Sequence, residues 1–106
     1  MKPFLMEVVY SGDHNLSCFY MAEVAKVVAS SFKKEVRLQI VYIMKKEGGQ
    51  RYYDLSVSLY GEEEVRKGLR LAPVPSMFID GRLVFDRIPM VEELEEAVAG
   101  MIRGKQ

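Results

Sequence analysis

The chain holds a single cysteine, Cys18. No disulfide can close within it, which excludes the stapled scaffolds of small secreted proteins. It has no excess of charge, because 15 Lys and Arg offset 15 Asp and Glu. That balance gives no basis for binding nucleic acid or an anionic membrane. No apolar run approaches the ~18 residues of a membrane-spanning helix. Phe4-Leu5-Met6 is cut by Glu7 before it reaches signal-peptide length. No internal repeat, linker or low-complexity tract interrupts the 106 residues, of which 49% are hydrophobic and 28% charged, the balance of a packed globular domain rather than a disordered chain. The expectation is one domain spanning residues 1–106, in the reducing cytoplasm, with no nucleic-acid or membrane partner.

What is present divides into alternating patterns. Phe4 to Tyr10 is apolar apart from Glu7 and rich in valine, as in a central strand covered on both faces. Ser11 to Asn15 is a turn cluster. From Ser17 to about Phe32, the residues Phe19, Ala22, Val24, Ala25, Val28 and Phe32 trace the stripe of a helix. Val36 to Met44 reads as a second strand, and strand, helix and strand together make a right-handed βαβ unit with parallel strands. Gly48-Gly49 centres a loop over Lys45 to Gln50. The next segment fits a helix by Tyr52, Leu55 and Leu59, and a strand by Tyr53, Leu55, Val57 and Leu59. Glu62-Arg66 and Glu63-Lys67 are acid-before-base pairs at i,i+4 that favour a short helix after Gly61. Leu94, Ala97, Val98, Met101 and Ile102 form the face of a last helix, with Glu92 and Glu93 early, Arg103 late and Gly104 as its stop.

Between these lies Val74-Pro75-Ser76-Met77-Phe78-Ile79-Asp80-Gly81-Arg82-Leu83-Val84-Phe85. Proline lacks the N–H of a sheet ladder and is confined to strand starts, edges and bulges, so Pro75 begins a strand. Asp80-Gly81 supplies the positive-φ pair of a tight hairpin. This proline-led hairpin, followed by a helix and preceded by a βαβ unit, resembles the thioredoxin and glutaredoxin superfamily and its cis-proline strand. The resemblance implies a thioredoxin-like α/β fold, a four-stranded mixed sheet flanked by helices in the order β-α-β-α-β-β-α. It also chooses helix for the ambiguous segment after Gln50.

In that superfamily the turn before the first helix carries Cys-X-X-Cys, whose first thiolate attacks a disulfide. Here Asn15 falls at the first cysteine position and Cys18 at the second, with Ser17 between them. The dithiol is missing, and Asn15 is suited to cap the helix with its side-chain oxygen, contributing about 1 kcal/mol relative to alanine. A second register places Cys18 in the attacking position, as Cys18-Phe19-Tyr20-Met21. Val74 and Pro75 would hold an extended peptide through the backbone. Asp13, His14 and Cys18 make a poor zinc set, since such sites take at least three well-placed ligands, and no metal is expected.

Three readings follow from the residues and the resemblance. The first is a binding or accessory module for a polypeptide or small thiol partner, without cofactor, working at Val74-Pro75. The second is a monothiol oxidoreductase in which Cys18 forms a mixed disulfide resolved by glutathione or another thiol. The third is a dimerisation subunit acting through Tyr52, Tyr53 and Tyr60. Met6, Met44 and Met77 are expected to fill strand positions in the core, while Met21 and Met90 lie nearer the presumed groove.

Overall fold

The computed structural model describes residues 2–104. Eight elements follow in order: β1 (Phe4–Tyr10), α1 (Leu16–Ser31), β2 (Val36–Tyr42), α2 (Lys46–Tyr60), α3 (Glu62–Arg66), β3 (Ser76–Ile79), β4 (Arg82–Phe85) and α4 (Val91–Gly104). The strands form one mixed sheet in the order β2-β1-β3-β4. β1 runs parallel to β2 and antiparallel to β3, and β3 is antiparallel to β4 with a register shift at Met77/Phe78.

β1 is central, and its alternation divides the core. Phe4, Met6 and Val8 join Met77 and Ile79 beneath α1 and α4, against Met21, Ala25, Val28, Leu94 and Val98. Val9 and Phe78 face the other way and pack against Leu55 of α2 and Ala72. Because a strand turns successive side chains to opposite faces, a nearly unbroken apolar strand is the one that both layers bury.

The Asp80-Gly81 turn has φ values of 51° and 82°, both in the left-handed region that such a two-residue hairpin requires. Asp80 also fastens the turn to β1: its N–H donates to Leu5 C=O at 2.9 Å, and its Oδ1 accepts the Leu5 N–H at 2.8 Å.

Five sequence expectations need correction. The buried stripe of α1 is Cys18, Met21, Ala22, Ala25 and Val28. It is displaced from the expected one, leaving Phe19 exposed. Met21 is a core residue and lines no groove, and Met44 is exposed in the turn after β2. β2 itself stops at Tyr42, whose C=O accepts the Lys45 N–H at 3.1 Å. Gly48 and Gly49 belong to the first turn of α2. A Cβ on Gly48 would lie 1.8 Å from the Tyr42 carbonyl oxygen. This glycine serves a close backbone crossing between a strand end and a helix start.

α4 begins with a side-chain cap. Glu93 Oε1 accepts the Met90 N–H at 3.0 Å, as the third residue of a capping box does, and both its oxygens take Arg87 at 3.1 and 2.5 Å. The Arg87 hydrogen bonds first, and the Met90 N–H second, lower the Glu93 pKa from 4.5 to about 2. A carboxylate so depressed adds stability above its unfolded pKa, and that contribution disappears as pH falls toward the folded value. The stability of Glu93→Gln should therefore fall less than that of the natural chain between pH 4.5 and 2, as read by urea unfolding. The pair is solvent-exposed, so the difference should be small.

Substituting the glycines tests the α2 crossing. Alanine at a helix position normally gains ~1 kcal/mol over glycine, and Gly100→Ala, where the nearest atom is the end of the Arg103 side chain at 3.8 Å, should show a gain of that sign. Gly48→Ala should instead destabilise by roughly 1–3 kcal/mol, as an overpacked core position does. Urea midpoints for the two variants should move in opposite directions.

Candidate functional site

The turn between β1 and α1 meets the loop before β3 at one end of the sheet. Asn15 is the N-cap of α1, and its Oδ1 accepts the Cys18 N–H at 3.3 Å. The capping expected of Asn15 is therefore present. Its Nδ2 donates to Ser11 Oγ at 3.3 Å. Ser11 in turn holds the thiol, through its N–H and its hydroxyl, each 3.4 Å from Cys18 Sγ.

Cys18 has no solvent exposure and packs with Tyr10, Ala22, Ile40 and Val74. Ser17 is exposed beside it. The Tyr10 hydroxyl donates to Asp13 Oδ1, and both Asp13 and His14 are exposed. Among the described residues no three His, Cys, Asp or Glu side chains are grouped to hold a metal. No helix described is long and apolar enough to cross a membrane.

Val74 and Pro75 lie half-buried opposite this turn, and the peptide bond between them is cis. Val74 packs against both the Cys18 cluster and the Val9, Leu55, Ala72 and Phe78 cluster. Of the sequence candidates, the fold thus brings Val74 against Cys18 and leaves Ser17 at the solvent boundary. Among the described residues, no hydrogen bond within the chain engages the Val74 N–H or C=O. Ser76, next along the chain, is fully buried, and its Oγ has no hydrogen-bond partner.

Two residues of α2 hold this loop in place. Tyr52 Oη donates to Ala72 C=O at 2.7 Å, and Ser56 Oγ accepts the Ala72 N–H at 2.9 Å. Both backbone polar groups of one residue are satisfied by one helix, which removes the freedom of a long connection at that point. Burial first, and Tyr60 second, raise the Tyr52 pKa above its ordinary value, so the phenol remains a donor. Tyr60 is engaged too, with the Arg70 guanidinium 4.5 Å from its ring centroid. Tyr52 and Tyr60 thus serve the chain's own fold, and of the expected tyrosine surface only Tyr53 has neither contact.

α2 is itself tied to the sheet by an ion pair. Glu7 in the middle of β1 is 1% exposed, and Arg51 reaches it with two hydrogen bonds of 2.7 Å, from Nε to Oε2 and from Nη2 to Oε1. Such fork-to-fork geometry fixes direction as well as distance. The hydrogen bonding to Glu7 raises the Arg51 pKa against the opposing effect of burial.

Sequence reasoning missed Glu7, Arg51, Tyr52 and Ser56 as positioning residues. The signal available for Glu7 was its isolation in an apolar central strand, since a buried charge must be paired. Its partner lies 44 residues away, and nothing in the pattern marks it.

Comparison of the sequence with known protein families and with curated proteins finds no match.

Removing one side of the ion pair strands the other. Arg51→Ala should lower stability by roughly 3 kcal/mol, the low end for a broken buried pair because the guanidinium is partly exposed. Glu7→Leu combined with Arg51→Leu should recover most of that loss in chemical denaturation.

Proposed function

We propose that this chain is a thioredoxin-like binding module, of redox-family descent, that holds an extended polypeptide segment at Val74-Pro75 and carries out no thiol–disulfide exchange. The observation that carries this reading is the pairing of a fully buried Cys18 sulfur with the Val74 peptide groups, which are left without partners inside the chain. Sulfur chemistry requires an accessible thiolate. Strand-like recognition requires only backbone donors and acceptors in a fixed place.

Further support comes from the order of the elements, the cis bond before Ser76 and the position of Val74 over the first turn of α1. In the superfamily the residue before the proline aligns a peptide through its backbone, and here Val74 takes that position. Apolar side chains sit next to both halves of the site in the chain: Leu16 follows Asn15, Leu71 precedes Ala72, and they are 63% and 51% exposed. They suit a partner segment with apolar side chains beside its paired backbone. The monothiol reading, with glutathione as resolving thiol, needs Cys18 to leave the packing of Tyr10, Ala22 and Val74 before it can react.

Titration of the labelled chain with extended apolar peptides, followed by amide NMR shifts, tests the proposal. The amides of Val74, Ser76 and Asn15 to Phe19 should move, and Cys18→Ser should bind as the natural chain does. Alkylation of Cys18 by iodoacetamide should be at least ~100-fold slower in the native state than in urea, as for an inert buried thiol. Fast native alkylation together with turnover of a glutathione mixed disulfide would favour the enzyme and overturn the binding reading.

A further inference from the structure

The two edges of the sheet are treated differently. β4 is four residues long and adjoins the register shift at Met77/Phe78, and short or irregular edges resist pairing with another chain. β2 is seven residues long, in continuous register with β1, and contains neither proline nor lysine. Arg37 is its single charged residue, and it lacks the proline, lysine, irregularity and shortness that blunt an edge.

The direction of its backbone groups follows from the ends of the ladder. Phe4 N–H donates to Glu35 C=O at 2.7 Å, and Ile43 N–H donates to Tyr10 C=O at 3.0 Å. In a parallel pair alternate residues turn both groups toward the partner, so Arg37, Gln39 and Val41 face β1. Leu38 and Ile40 turn their N–H and C=O onto the open edge. Clefts flank this edge on both sides of the sheet. One of about 160 Å³ is lined by Gln39, Val41, Lys45, Glu47 and Arg51, and one of about 190 Å³ by Phe19, Lys26, Ile40 and Tyr42.

We propose that β2 pairs antiparallel with β2 of a second copy, about a twofold axis through Gln39, to join two four-stranded sheets into one of eight strands. In this register Leu38 lies opposite Ile40 of the second copy, and each pair exchanges two backbone hydrogen bonds. Val36 lies opposite Tyr42, so every facing pair on the α1 side is apolar. On the α2 side Gln39 meets its own copy, and an amide is both donor and acceptor to another amide.

Charge completes the match. Arg37 of one copy lies opposite Val41 of the other, beside the cleft that holds Glu47. The cations of that cleft are occupied: Arg51 by Glu7, and Lys45 over the Tyr42 ring at 4.9 Å. The strand is its own complement, which identifies the occupant as a second copy rather than a foreign strand. The proposal is independent of the reading at Val74.

Sedimentation at ~100 μM, where even a weak isologous contact is populated, tests it. The natural chain should be a dimer. Gln39→Lys and Gln39→Glu should each be folded monomers by circular dichroism, because like charges face each other at the axis. Mixed in equal amounts, the two variants should form a heterodimer, which no loss of folding can imitate. A monomeric natural chain, a dimer that survives both substitutions, or a dimer lost on Tyr53→Ala alone would each overturn the proposal.

Discussion

One ion pair organises the layer that carries the site. Glu7 sits in the central strand of the sheet and is 1% exposed, where an unpaired carboxylate is prohibitively costly. Arg51 meets both its oxygens. A hydrophobic contact would let α2 slide or rotate over Val9 and Phe78 with little change in buried area, because the hydrophobic effect has no direction. The bidentate pair has one geometry, so it sets where α2 lies along β1 and which residues it turns toward the β3 end. The close crossing of Gly48 over Tyr42 anchors the start of the same helix.

From there the constraint passes outward along covalent structure. With Arg51 placed on Glu7, Tyr52 and Ser56 fall one and five residues further along the same helix, and both reach Ala72. Ala72 is two residues before Val74, so the connection that would otherwise be free is held just before the cis bond. On the other face, Asn15 and Ser11 hold Cys18 in a hydrogen-bonded, solvent-free position against Val74. The result is an edge of backbone beside a sulfur that packing holds away from solvent. That combination separates gripping a chain from exchanging its disulfides, and it is the physical content of the proposed function.

Much of this architecture was legible in the sequence, and what was not has identifiable causes. The βαβ unit followed from long apolar runs on either side of a helical stripe, the hairpin from Asp80-Gly81, and the last helix from Leu94, Val98 and the charges at its two ends. These are local signals, in which a residue's neighbours reveal its state. Gly48-Gly49 misled because two glycines normally mark flexible chain, whereas here the missing Cβ serves a contact with a carbonyl from another element. The phase of α1 was misjudged because Phe19 is larger than Cys18, although the smaller residue is the one that fits beneath Val74. At the candidate site, Asn15 was readable as a cap from its type and place. The burial of Cys18 was not, since it depends on Ile40 and Val74, which are distant in the chain. The Glu7–Arg51 pair belongs to the same kind: a charge in a central strand announces that a partner exists without saying where.

The account stands on the claim that Ala72 is clamped by α2 and that the Val74–Pro75 edge is thereby rigid. Native-state hydrogen exchange of the Ala72 amide under rising urea measures this at the atom concerned. The account predicts that Ala72 exchanges only with the free energy of the Val8 and Leu55 amides, opening together with the central strand and α2. Exchange at the low free energy of a fraying loop, insensitive to urea, would contradict it.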